Sequence, residues 1–181
     1  MREKYGILIG RSEITRRVGE LAADIRKWAG ESAAPICAVW LAEGAMFFAA
    51  DLLRGLSGCG LEIFSVKVSS YGDSLSPEGR PKILTPLPDV AGMRALLIDD
   101  VLDTGATVAE VSRALLERGA KEVKICVLLD KRVPGEKRTV ADFVGFKTEG
   151  RFAFGYGMDL RGKMRELPDI MALQKSEETC I

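Results

Sequence analysis

The sequence predicts an α/β fold, a parallel sheet flanked by helices, within one domain spanning residues 1–181. Three observations carry this. Residues 94–129 form a strand, a loop, a helix and a second strand, and a strand that returns through a helix lies parallel to the first. Residues 35–70 give a strand, a helix and a strand in the same order. The chain has 181 residues, 47% hydrophobic and 29% charged, a profile that suits one soluble domain with a sizeable core.

The elements follow in order. Residues 12–29 place Ile14, Val18, Leu21, Ala22, Ile25 and Trp28 at helical spacing, with Ser12 or Thr15 as the expected cap and Gly30 at the end. Residues 35–41 (PICAVWL) are a short apolar run leading to Gly44 and predict a buried strand. Residues 45–56 predict a helix that stops around Gly55, Gly58 and Gly60, and residues 61–70 a strand carrying Ile63 and Val66. Residues 71–82 are polar, hold Gly72, Pro77, Gly79 and Pro81, and lack an apolar period; a linker or mobile loop is expected. Residues 94–99 (RALLID) are a continuous apolar strand ending in acid. Residues 106–118 follow as a helix with Val108, Val111, Leu115 and Leu116 inward, stopped by Gly119, and residues 121–129 are the next strand. Shorter strand-like runs lie at 141–146 and 152–156, and residues 174–181 are expected to be a loosely ordered polar tail.

Composition removes several kinds of chemistry. Lys+Arg and Asp+Glu both number 26, so no global field favours a nucleic-acid partner, and an anionic ligand must be held by local groups. Histidine is absent, which excludes Ser-His-Asp and Cys-His catalysis and any His-ligated metal site within the chain. The four cysteines (Cys37, Cys59, Cys126, Cys180) form no CxxC pair. They are expected as reduced thiols in a cytoplasmic protein, with Cys37 and Cys126 as small core residues. Met1–Lys4 lacks an apolar signal core and no apolar run approaches membrane-spanning length, so no membrane association is expected.

The segment 96–107, LLIDDVLDTGAT, carries the most chemistry. A buried strand delivers Asp99 and Asp100 to its C-terminal edge, the edge where open parallel sheets bind ligands. A short turn of Asp103, Thr104, Gly105, Ala106 and Thr107 then opens a helix. Small residues admit close approach, and the free N–H groups at the positive end of the helix favour a phosphate. The predicted ligand has a phosphate at one end and a diol or metal near the other. Two adjacent acids alone would be solvated strand-end charges; it is the combined pattern that predicts a phosphate site.

This string resembles the phosphoribosyl diphosphate (PRPP) signature of type I phosphoribosyltransferases. Other segments resemble, in order and at compatible spacing, motifs of the hypoxanthine-guanine phosphoribosyltransferase family: FFAADLL (47–53), VSSYGD (68–73), LLDKR (128–132), DFVGF (142–146), RFAFGYGMD (151–159) and RELPDI (165–170). The match covers most of residues 12–170. It implies a type I phosphoribosyltransferase-like fold in which N-terminal and C-terminal segments form a small hood, and a purine salvage enzyme joining hypoxanthine or guanine to PRPP with release of pyrophosphate.

The resemblance also implies roles. Asp99 and Asp100 would face the ribose hydroxyls, directly or through Mg²⁺, and Asp103 would take or share a proton near purine N7. The 5′-phosphate would rest on Thr104, Gly105, Ala106 and Thr107. Lys131 would donate to the exocyclic O6 of a 6-oxopurine, and Phe152 would stack on the ring; on pattern alone these are a solvated lysine and a core phenylalanine alternating with Phe154. Asp159 would border the purine site and help hold a Mg²⁺ carried by pyrophosphate, which Arg165 would contact. Arg161 and Lys163 read as solvated charges. Ser69, Ser70 and Tyr71 would open a loop that closes over the site. Relatives assemble as homodimers or homotetramers.

The sequence departs from the family at the loop holding Glu43 and Gly44, which occupies the place of a pyrophosphate-binding loop. Glu43 stands where a basic residue is common. It is expected beside Mg²⁺ or a cation, or paired with an arginine, for which a subunit interface is one setting. Ala106 and Asp73 are smaller departures. Three alternatives stay open: a xanthine-preferring transferase, a non-catalytic PRPP or nucleotide sensor, and a domain binding another sugar phosphate.

Overall fold

A computed structural model describes residues 5–69, 81–132, 135 and 137–173. Its main sheet has five parallel strands: β2 (Ile36–Ala42), β3 (Glu62–Lys67), β4 (Arg94–Leu102), β5 (Glu122–Lys131) and β6 (Phe143–Thr148), in the order β3-β2-β4-β5-β6. Alternation along the strands sorts side chains between the two faces. Ala38, Leu96, Ile98 and Leu128 pack with α1 (Arg11–Gly30) and α2 (Met46–Gly55) on one face. Val39, Leu41, Leu97 and Val127 pack with Val108, Val111 and Leu115 of α3 (Ala106–Glu117) on the other. Cys37 and Cys126 are fully buried core residues, as expected.

A second sheet is the expected hood. Strand β1 (Tyr5–Ile9), β8 (Ile170–Leu173) and β7 (Ala153–Phe154) run antiparallel in the order β1-β8-β7. Tyr5 meets Phe154 edge-to-face at 5.5 Å between ring centroids. Strands β1 and β8 were not expected as strands. Each is short, and they pair with each other across nearly the whole chain.

Several local expectations are corrected. Neither Ser12 nor Thr15 caps α1: Gly10 precedes it in extended conformation, and Asp169 Oδ1 accepts from the Arg11 amide at 2.7 Å. The cap is therefore a tertiary contact from the edge of β8. Thr15 instead donates back to the Arg11 carbonyl at 3.0 Å. Strand β4 does not end at Asp99 but continues in register with β5 to Leu102, which faces Asp130. Leu116, expected inward, is exposed, and so are Ile63 and Phe64 on the edge strand β3. The run 152–156 shortens to two residues. Gly155 turns the chain there with φ +87°, and a Cβ on it would lie 2.3 Å from the Asp169 carbonyl oxygen.

The strand order reverses direction at β2. Strand β3 lies on one side of it and β4 on the other. In open parallel sheets the crevice outside the carboxyl ends at such a switch point receives ligands. The two segments emerging there are 42–45 and 99–107.

Candidate active site

A cleft of ≈ 460 Å³ opens at this point. Every predicted site residue within the described chain lines it except Ser69: Glu43, Gly44, Asp99, Asp100, Asp103 through Thr107, Lys131, Phe152, Asp159 and Arg165. The sheet brings most of them together, since β2, β4 and β5 end side by side, and the hood supplies Phe152, Asp159 and Arg165 from the facing wall. Ser70 and Tyr71 lie outside the described residues. Ser69 sits at the neck of the segment 70–80: its hydroxyl oxygen accepts from the Lys82 amide at 2.9 Å, and Val68 bridges Ile83.

The paired acids differ in environment. Asp99 is buried, and the Asp100 amide donates to its Oδ1 at 3.0 Å. Burial, then the charge of Asp100, pushes the Asp99 carboxyl well above the ordinary carboxylate range. Asp100 is only partly covered and lies under the Gly44 backbone. Burial raises its carboxyl too, while hydrogen bonds from Asp99 and nearby amides and the Arg165 charge pull the other way. Asp99 is thus the member of the pair that holds a proton longer.

Space around Gly44 is tight on both sides. A Cβ on Gly44 would lie 2.3 Å from Asp100 Oδ2, and a Cβ on Gly157 would lie 2.2 Å from the Gly44 carbonyl oxygen. The strand β4 carboxylate, the loop after β2 and the hood therefore stack backbone to side chain with no room for a methyl group. The peptide between Ala42 and Glu43 is cis.

The turn into α3 has the predicted form. Gly105 is left-handed (φ +77°) at the helix start. Among the described residues, no protein acceptor meets the amides of Thr107 and Val108, which leaves two donors of the first turn for a ligand. A segment that carried no signal in the sequence fixes this turn. The Lys137 ammonium donates to the Leu102 carbonyl at 3.0 Å and pairs with Asp130, the Arg138 amide donates to the Thr104 carbonyl at 2.9 Å, and Thr139 packs within 3.1 Å of a Cβ position on Gly105. Asp103 is held between these anchors, half-exposed toward the cleft.

On the opposite wall, Arg165 is fixed by three partners. Its Nη1 donates to the Gly157 carbonyl at 2.7 Å, and its Nη2 lies 3.0 Å from Asp159 Oδ1 and 3.7 Å from Glu43 Oε2. The arginine expected for Glu43 is thus in the same chain rather than across a subunit interface. Glu43 also pairs with Lys67 at the end of β3, at 3.2 Å. Phe152 faces the cleft while its neighbour-but-one Phe154 is fully buried in the hood, so the core phenylalanine of the pair is Phe154. Arg161 and Lys163 are exposed. Among the described residues no three acidic or sulfur groups form a ready-made metal cage.

Residues 10–161 match the family model described as the phosphoribosyl transferase domain. The chain is 40% identical over 177 residues to the hypoxanthine-guanine phosphoribosyltransferase of Aquifex aeolicus, covering 95% of this chain and 96% of that protein. It is 33% identical over 171 residues to the hypoxanthine phosphoribosyltransferase of Escherichia coli K12, covering 94% and 96%. A solved structure of Trypanosoma cruzi hypoxanthine phosphoribosyl transferase superimposes with a TM-score of 0.85 at 29% identity, over 97% of this chain and 94% of that one.

Proposed function

The chain belongs to the phosphoribosyl transferase domain family, in its hypoxanthine(-guanine) branch, and from that premise we propose how its cleft performs the reaction. The enzyme is a purine salvage transferase: hypoxanthine or guanine plus PRPP gives IMP or GMP plus pyrophosphate. The observation that best supports this is the convergence of paired acids, an open helix start, an aromatic ring, a lysine and an arginine on one ≈ 460 Å³ cleft.

The ligand fits in one sense along the cleft. The 5′-phosphate rests on the turn Thr104 to Thr107, where the α3 start leaves the Thr107 and Val108 amides open as donors. The ribose hydroxyls face Asp99 and Asp100. The pyrophosphate lies toward Gly44 and Arg165, whose planar guanidinium suits phosphate oxygens. The purine lies between Phe152 and the α3 turn, with the Lys131 ammonium donating to O6. A donor at this place favours a 6-oxopurine over adenine, whose 6-amino group is itself a donor.

In the reaction the bond from C1 of the ribose to the pyrophosphate oxygen breaks and the bond from the purine nitrogen to C1 forms. Positive charge develops on the ribose, and we assign the Asp100 and Asp99 side chains, which line the cleft, to face it. The base must lose a proton, which Asp103 accepts or shares near N7. Asp103 lines the cleft and is half-exposed toward it, so its carboxylate faces a base bound there. The donor set also fits Mg²⁺: Asp99, Asp100 and Asp159 line the same cleft, and such an ion keeps waters and binds through one or two acids plus phosphates. Asp159, Asp99 and Asp100 are the residues we assign to it, and when bound it neutralises charge on the departing pyrophosphate.

Residues 1–181 are assigned to a single domain, and homodimers or homotetramers are the expected assembly. Among the described residues no helix is long and apolar enough to cross a membrane. A cytoplasmic setting is proposed on the free thiols Cys37, Cys59 and Cys126. The sensor alternative rested on Glu43, and the pairing of that carboxylate with Lys67 and Arg165 removes most of its support.

The test is product formation with Mg²⁺, PRPP and each of hypoxanthine, guanine, xanthine and adenine, followed by chromatography, with Asp103→Ala alongside. Nucleotide from hypoxanthine or guanine, greatly reduced in the variant, is expected. Turnover of xanthine alone would reassign the base, and no turnover with any base would defeat the enzymatic reading.

A further inference from the structure

We propose that Lys67 and Glu43 form a tuning pair for the diphosphate end of the substrate, with Lys67 acting through Glu43 and not on the ligand itself. This rests on the phosphoribosyl-transfer reading of the cleft. Glu43 spans two cations. Its Oε1 lies 3.2 Å from the Lys67 ammonium and its Oε2 lies 3.7 Å from Arg165 Nη2. Glu43 and Arg165 line the cleft beside Gly44 and Asp100; Lys67 does not.

The electrostatic consequence is specific. Arg165 cannot swing away to follow Glu43, because its Nη1 is held on the Gly157 carbonyl and its Nη2 on Asp159. Lys67 is different: among the described residues its ammonium pairs with Glu43. A diphosphate entering beside Gly44 meets a carboxylate that repels it and competes with it for Arg165. A cation behind that carboxylate, outside the cleft, draws it back and cancels part of its field. The place held in the family by a basic side chain is thereby filled by a carboxylate and its counter-ion from β3. Diphosphate affinity becomes a property of the pair, weaker than with a neutral side chain at position 43 and stronger than with an unaccompanied carboxylate.

The pair is exposed at both ends, so the effects are modest and screened by salt. The experiment is titration calorimetry at low ionic strength, with magnesium diphosphate and, separately, IMP, on the wild type, Glu43→Gln, Lys67→Met and the double variant. Glu43→Gln is expected to tighten diphosphate about fivefold, and Lys67→Met to weaken it by about the same factor. In the Glu43→Gln background, Lys67→Met is expected to change the affinity less than about twofold, because the group it acts through is gone. IMP affinity should stay within about twofold throughout, since IMP carries no diphosphate. Equal weakening by Lys67→Met in both backgrounds would mean direct contact and overturn the inference. Unchanged or weaker diphosphate binding by Glu43→Gln, with IMP still bound, would overturn it while leaving the transferase reading intact. A wild type that binds neither ligand would remove both.

Discussion

Gly44 should be a position where one methyl group lowers activity about 100-fold while the fold survives. The backbone at Gly44 is not left-handed, so alanine meets no conformational penalty there. Its Cβ would, however, lie 2.3 Å from Asp100 Oδ2, 2.7 Å from Cγ and 2.9 Å from Oδ1. Ordinary contact begins at 3.4 Å, so the nearest oxygen must retreat by 3.4 − 2.3, about 1 Å. The carboxylate sits at the free end of a side chain and can move, at the cost of an off-rotamer torsion of about 0.5–1.5 kcal/mol. For a chain of this length that corresponds to a fall in Tm of about 1–6 °C. A displacement of about 1 Å at a group facing the reacting ribose costs roughly 100-fold in rate, about 2.7 kcal/mol of transition-state stabilisation. The Gly44→Ala variant should therefore melt close to the wild type by scanning fluorimetry and lose about two orders of magnitude in kcat/KM for PRPP. Activity within about threefold of wild type, with the same Tm, would refute the placement of Asp100 in the ribose-binding geometry. A protein that no longer folds would show that the loop backbone, not the carboxylate, bears the strain.

Further outcomes follow from the same geometry. Gly157→Ala should be far more damaging to stability: φ is +104° and the new Cβ would lie 2.2 Å from a backbone oxygen that cannot rotate away, so thermal denaturation should show a loss of at least about 1–3 kcal/mol. Asp99→Asn should stabilise the protein near neutral pH. Burial and the neighbouring Asp100 charge raise the folded carboxyl well above the ordinary carboxylate value, so the folded state binds the proton more tightly than the unfolded one. The penalty of Asp99 is absent below the unfolded value and grows as pH rises toward the folded one, so the Tm advantage of the variant should shrink as pH falls toward 4, read by melting across that range. Lys131→Gln should lower kcat/KM for hypoxanthine by about 10–100-fold and narrow its lead over adenine, checked by competition between the two bases.

Much of this molecule was legible in the sequence where the signal is local. The apolar period of residues 12–29 gave α1 its buried face, and the string LLIDDVLDTGAT located the strand, the paired acids and the turn. What escaped was set by partners distant along the chain. The hood strands β1 and β8 are four or five residues long and pair across the whole chain, so neither shows a period that distinguishes it from loop. The α1 cap is Asp169, 158 positions from the amide it accepts. Leu116 fits an apolar stripe by spacing yet points to solvent, because α3 packs on the sheet through Val108, Val111 and Leu115 alone.

Glu43 is the instructive case at the site itself. Along the chain it is an unaccompanied acid in a loop where a basic residue is common, and that view makes it a defect. In the fold the same carboxylate stands between Lys67 from β3 and Arg165 from the hood, which also pairs with Asp159, so its charge is partly offset within a cluster of two cations and two carboxylates. Parallel strands make this possible: β2 and β3 end at the same edge, with Ala42 facing Lys67 in register, so the loop leaving one strand meets the last side chain of its neighbour. A charge in such a loop is therefore balanced by residues more than 20 positions away as readily as by its neighbours in sequence. The register of the sheet, together with the residue type at position 43, decides how an anion is received there.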